Sequence, residues 1–145
     1  MKFTVESVNV SATKGVQKHE VPEIACRVDH GIEGDAHAGP WHRQVSLLAG
    51  EAVDMMKAKG LDLAAGAFGE NIVTRGVDWS QARVGERITI GNVELEITQI
   101  GKECHSRCAI YYAAGDCIMP RQGIFAKVLK GGTIHAESSG NYDIG

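Results

Sequence analysis

The chain has 145 residues, a net charge of −3, and 43% hydrophobic against 23% charged side chains. That balance suits a packed globular domain and excludes a disordered chain, and the lack of any Lys/Arg run argues against general nucleic-acid binding. The N-terminus shows no apolar signal core, and no window approaches the roughly 18 apolar residues of a membrane span. A cytoplasmic, reducing location is therefore expected, with Cys26, Cys104, Cys108 and Cys117 as thiols or ligands rather than disulfides.

Residues 3–11 mix Phe3, Val5, Val8 and Val10 with polar neighbours and predict a strand. Thr13-Lys14-Gly15 reads as a turn. Residues 21–28 predict a second strand, with Pro22 placing it near an edge or a strand start. Residues 29–43 mix Gly, His and acidic residues with no hydrophobic period, which predicts a long loop of the kind that often carries function. A short buried strand over 44–48 leads into residues 49–59. There Ala52, Val53 and Met56 recur at helical spacing before Gly60, marking the main helix.

Residues 68–74, 87–90, 93–100, 124–129 and 133–137 read as further short strands. Gly91-Asn92 and Gly131-Gly132 are hairpin signals. The polar tail 138–145 is expected to fray. The pattern predicts a mainly β domain, a barrel or sandwich, spanning 1–145, with one main helix and short helical insertions.

The chemistry concentrates after the strand at 93–100, in Gly101-Lys102-Glu103-Cys104-His105-Ser106-Arg107-Cys108. Cations beside a thiol lower its pKa, and the thiolate is both nucleophile and soft-metal ligand. Cys104 is the first candidate. Cys108, followed by Ala109-Ile110-Tyr111-Tyr112, reads equally well as a small core residue. A structural zinc site on Cys104, His105, Cys108 and Cys117 lacks a second ligand pair at metal spacing.

Arg121, in a loop bounded by Gly115 and Gly123, and Lys14 beside Gly15 are cations able to meet an anion; their bland reading is solvated surface charge. Arg43, just before a buried strand, is placed for a cavity rim. Asp35 and His37 could face one ligand or move a proton. Asn71, after Gly69-Glu70, could bond a ligand amide or brace a turn. No GxGxxG, Walker A, HExxH or GxSxG pattern occurs, which argues against nucleotide-binding, zinc-protease and serine-hydrolase readings.

Several pieces occur in a telling order. They are Lys14-Gly15, then Gly31-Ile32-Glu33-Gly34-Asp35-Ala36-His37-Ala38-Gly39, then His42-Arg43-Gln44-Val45-Ser46-Leu47-Leu48. Phe68-Gly69-Glu70-Asn71-Ile72, Val84-Gly85-Glu86, the strand-end Cys104, residues 123–129 and Gly131-Gly132 follow. Together they resemble a MOSC domain, the module named for the C-terminal part of molybdenum-cofactor sulfurases, over nearly the whole chain. The stretches 104–108 and 115–123 resemble the family's small stand-alone branch.

The resemblance implies a mostly-β barrel of the pyruvate-kinase β-barrel type. It implies that Cys104 carries sulfur as a persulfide or ligates molybdenum. With the molybdenum cofactor (molybdopterin) as ligand, the chemistry of the residues suits Lys14, Arg43 and Arg121 to its phosphate and Asn71 and His37 to the pterin's polar edge, with Asp35 in the same binding set. The implied function is binding of that cofactor, or sulfur carriage in its sulfuration or delivery. The implied partners are cofactor-biosynthesis proteins or molybdoenzymes. Full-length sulfurases take sulfur from a PLP-dependent cysteine desulfurase domain; PLP is not expected on this chain unless a separate partner desulfurase brings it. Two other readings stand beside this one: a non-catalytic scaffold module in cofactor assembly, and a molybdenum-dependent reductase of N-hydroxylated compounds. Enzymatic activity, sulfurtransferase-like or cofactor-dependent, is left open.

Overall fold

Strand β1 (Lys2–Val10) shows the alternation that makes a half-buried strand: Phe3 and Val5 are buried, Lys2, Thr4 and Glu6 exposed. The computed structural model describes residues 1–13, 17–60, 62–101 and 123–143. Lys14, Gly15, Cys104, Cys108, Cys117 and Arg121, singled out above, lie outside the described residues.

β1 is the hub of the fold. It pairs with β2 (His19–Val21), β6 (Ile72–Arg75) and β11 (Ser139–Asp143), all antiparallel. β5 (Val45–Ala49) runs parallel to β6 and antiparallel to β9 (Ile124–Lys130). From β9 the sheet continues through β8 (Val93–Ile100) and β7 (Arg87–Ile90) to β11. The β11–β1 pairing closes seven strands into a barrel, with β2 appended to β1. A second sheet joins β10 (Gly132–His135), β3 (Glu23–Arg27) and β4 (Gly31–Ile32).

Period-two alternation separates two cores. Leu47, Ile124 and Ala126 face the barrel interior with Ile72, Ile88 and Leu95. Their neighbours Leu48 and Phe125 face outward and meet Ala52, Val53 and Met56 of helix α1 (Gly50–Lys57). Each buried Leu, Ile, Val, Met or Phe among them contributes on the order of 1.5–3 kcal/mol by leaving water. The helix stops two residues short of the sequence expectation, and the Gly60 N–H closes it onto the Lys57 carbonyl.

The Gly91-Asn92 hairpin forms as expected, with Ile90 opposite Val93. Gly131-Gly132 does not turn β9 back onto β10. Instead β10 leaves the barrel to pair with β3. Gly131 passes so close to β3 that a Cβ there would lie 2.6 Å from the Cys26 carbonyl oxygen. The predicted strand over 21–28 divides at Pro22, which lacks the N–H needed to stay in one ladder, so β2 follows the barrel and β3 the small sheet. The predicted strand over 68–74 shrinks to β6, because Glu70 folds the residues before it into turns. Its carboxylate accepts the Gly66 and Phe68 N–H groups, each at 3.0 Å.

The tail is the largest correction. Residues 139–143 do not fray; they are the closing strand of the barrel. Tyr142 is buried, its ring 5.1 Å from that of Trp79, and Trp79 in turn meets Phe3 edge-on at 5.6 Å. Gly140 sits against the Phe3 ring, where no side chain fits.

Candidate functional site

The end of β1 anchors two loops that carry candidate residues. Asn9 donates its N–H to the Asn71 carbonyl at 2.7 Å, and its own carbonyl accepts from Asn71 Nδ2 at 3.1 Å. Two residues on, Ser11 donates its N–H to Asp35 Oδ1 at 3.1 Å, and Ala36 N–H returns to the Ser11 carbonyl. Asn71 Oδ1 accepts from the Ser46 N–H and hydroxyl at 3.0 and 3.1 Å. Both ends of the Asn71 amide are thus engaged by the protein.

Asp35 is buried and has three kinds of partner: Lys18 Nζ at 2.7 Å, the Ser11 N–H, and the His37 N–H at 3.2 Å. Burial alone pushes its carboxyl up. The bonds around His37 and Lys18, and the Lys18 charge, outweigh burial and hold it well below the usual carboxylate range. Lys18 Nζ also meets His37 Nδ1 at 3.0 Å. The Lys18 backbone is held by its N–H on the Gly66 carbonyl at 2.9 Å. Gly66 has φ of +86°, and a Cβ there would strike the Lys18 carbonyl. Burial pushes the Glu70 carboxyl up, while the backbone N–H groups on it work in the other direction.

From His37 the site runs outward along residues 37–43. Trp41 Nε1 donates to the His37 carbonyl at 2.7 Å, and the Arg43 guanidinium lies 4.7 Å from the Trp41 ring and 5.8 Å from the Phe125 ring. Arg43 Nε is buried with no hydrogen-bond partner among the described residues. His42 Nε2 meets Gln99 Oε1 at 2.9 Å, Gln99 Nε2 donates to the Gly101 carbonyl at 2.8 Å, and Thr98 Oγ1 donates to the His42 carbonyl. The loop therefore touches the end of β8. There the Gly101 N–H also bonds the Gly123 carbonyl at 2.7 Å, which ties the end of β8 to the start of β9.

Of the residues singled out from the sequence, Asp35, His37 and Arg43 share one loop and one contact chain, and Asn71 joins them through β1. Cys104, Lys14 and Arg121 lie outside the described residues. Lys18 and Trp41 were missed. Lys18 reads as one more surface lysine in Lys14-Gly15-Val16-Gln17-Lys18, and no periodicity flags its burial. Trp41 lies inside the polar loop at 29–43, and an aromatic between His37 and Arg43 is the available signal. Cys26 is buried, which pushes its thiol up to about 12, so it offers no thiolate. No helix among the described residues is long and apolar enough to cross a membrane.

This is a small closed β-barrel whose polar groups sit on loops gathered at the ends of β1, β5 and β8. The MOSC domain family model matches residues 33–139, well over half of the chain. The chain belongs to the MOSC family. Its fold is similar to the YuaD protein from Bacillus subtilis, with a TM-score of 0.80 at 17% identity, covering 97% of this chain and 94% of that one. It is also similar to YiiM from Geobacillus stearothermophilus (TM-score 0.69, 18% identity, 98% and 75% covered). YiiM from Escherichia coli matches alike (TM-score 0.69, 18% identity, 100% and 71% covered). No curated protein matches the sequence.

Proposed function

We propose that this MOSC domain binds the molybdenum cofactor, with Cys104 as persulfide carrier or molybdenum ligand. Arg43 carries the reading. Its Nε is buried with no hydrogen-bond partner among the described residues, beside two aromatic rings and next in the chain to His42, whose ring meets Gln99 near the end of β8, the strand that Cys104 follows in sequence. A buried guanidinium donor left unbonded costs free energy unless a ligand completes it, and its fork suits a phosphate.

The donor set fits the group. Cys104 is three residues past Gly101, within about 11 Å of chain. A thiolate is the soft ligand that molybdenum takes readily. Arg43, with Lys14 and Arg121, would hold the cofactor's phosphate, and His37 its polar ring edge. Asp35 and Asn71, whose own groups are engaged within the protein, would set the loops that present them. When bound, the cofactor would supply a metal centre for oxygen-atom or sulfur transfer. The family's association with the molybdenum cofactor is the general support. Sulfur would come from a partner PLP-dependent desulfurase, and the recipient would be a cofactor-assembly protein or molybdoenzyme in the cytoplasm.

Purified from a cofactor-replete host, the protein should retain stoichiometric molybdenum and fluorescent pterin, or sulfane sulfur on Cys104 seen by intact-mass spectrometry. Cys104→Ser should lose them. A preparation holding neither, with Cys104→Ser unchanged in a molybdoenzyme reconstitution assay, overturns the proposal.

A further inference from the structure

Lys18 was absent from the candidate residues, yet its side chain is 1% exposed and ends between two members of the site. Its Nζ lies 2.7 Å from Asp35 Oδ1 and 3.0 Å from His37 Nδ1. An ammonium has donors only. Lysine ordinarily holds its proton about four pH units more tightly than imidazole. His37 Nδ1 must then accept, which leaves the ring proton on Nε2. Asp35 Oδ2, at 3.7 Å from Nδ1, is too far to take a proton from that nitrogen.

The ring is also pinned from its backbone. The His37 N–H is bound by Asp35, its carbonyl by Trp41 Nε1, and its plane lies within 10° of the indole plane. The His37 side chain keeps 31% exposure, and Nε2 has no partner among the described residues.

We propose that Lys18 is a positioning residue that fixes His37 as a neutral Nε2–H donor, so that the ligand atom meeting His37 is a hydrogen-bond acceptor. Carbonyl, phosphoryl and unprotonated ring-nitrogen atoms qualify; amines and protonated ring nitrogens do not. The ligand side of this statement rests on the function proposed above. The tautomer itself does not. His37 serves as a donor rather than as a general base, because its one basic nitrogen is occupied by the Lys18 ammonium.

The test is long-range proton–nitrogen correlation NMR on the full chain at neutral pH without cofactor, with His37→Gln identifying the His37 signals. The expected result is a single Nε2–H tautomer, pyrrole-like at Nε2 and pyridine-like at Nδ1. An Nδ1–H tautomer, or averaging between the two, overturns the inference. Lys18→Met should release the ring into a tautomer mixture, and Lys18→Arg, which keeps a cationic donor, should retain the wild-type pattern. An unchanged His37 in Lys18→Met removes Lys18 from the role. If Lys18→Met does not fold, the wild-type spectrum still decides. A solvent-protected Lys18 ammonium resonance with a cross-peak to the His37 ring supports the pairing, and a fast-exchanging one overturns it. A correct tautomer in a protein that holds neither molybdopterin nor sulfane sulfur on Cys104, with Cys104→Ser unchanged in reconstitution, would sink the proposed function alone. The wrong tautomer in a protein that retains it would sink this inference alone.

Discussion

Lys18 and Asp35 form an ion pair at 2.7 Å, with their side chains 1% and 0% exposed. Seventeen residues apart, they tie the connecting segment that leads into β2 to the loop after β4. A charge so placed is tolerable only with its partner, because desolvation by itself opposes it. The pair therefore acts as a lock on the loop that carries His37, Trp41 and Arg43.

Removing one half of this lock should destabilise the fold strongly. Asp35→Asn or Lys18→Met should each cost about 3–5 kcal/mol, since each leaves a buried charge uncompensated. Urea unfolding with an unchanged slope and a lowered midpoint is the measurement. A loss under 1 kcal/mol for both would show that the pair is solvated in solution.

The same pair sets a pH dependence. Asp35 is held below its ordinary value, so its contribution is complete above the unfolded pKa, about 4. It is lost progressively as pH falls below 4 toward the depressed folded value. Melting temperature followed from pH 5 to pH 2 should fall more steeply in wild type than in Asp35→Asn. Parallel curves would contradict the assignment.

The barrel seam depends on Tyr142. Its hydroxyl donates to Glu86 and its ring packs on Trp79. Tyr142→Ala should cost about 3–5 kcal/mol through the cavity it opens, and Tyr142→Phe about 1 kcal/mol through the lost hydrogen bond. Burial first, and Glu86 second, push the phenol up to about 12. Ultraviolet titration should accordingly show one of the three tyrosines ionising later than an exposed one.

Cys26 should resist thiol reagents in the folded protein, because burial keeps its sulfur protonated and out of reach. Alkylation followed by peptide mass mapping should label Cys26 only after denaturant is added. Labelling of the native protein at Cys26 would mean that β3 opens readily.

Arg43 separates charge from geometry. Under the proposed function, Arg43→Ala should lower pterin retention at least tenfold. Arg43→Lys should recover little of it, because an ammonium lacks the planar fork and stacks poorly on Trp41 and Phe125. Full recovery by lysine would assign Arg43 a simple charge role.

The sequence by itself determined the local elements and singled out the polar loop at 29–43. Alternation set β1, β7 and β8, the Ala52, Val53 and Met56 stripe set α1, and Gly91-Asn92 set its hairpin. These follow from neighbours a few residues apart, which is the range over which periodicity and turn propensity act. The loop holding Asp35, His37 and Arg43 was legible for the opposite reason, as a polar stretch with no period. Only the tertiary structure decided the rest. Residues 139–143 look like a polar tail until Gly140 is seen to make room for Phe3 and Tyr142 to reach Trp79, partners that lie far off along the chain. Gly131-Gly132 looked like a hairpin, but β3 offered β10 an edge that β9 did not. Lys18 carries no mark in the sequence at all. Its burial follows from Asp35, His37 and the Gly66 turn arriving around it, and a lysine enters a protein interior only where such partners converge.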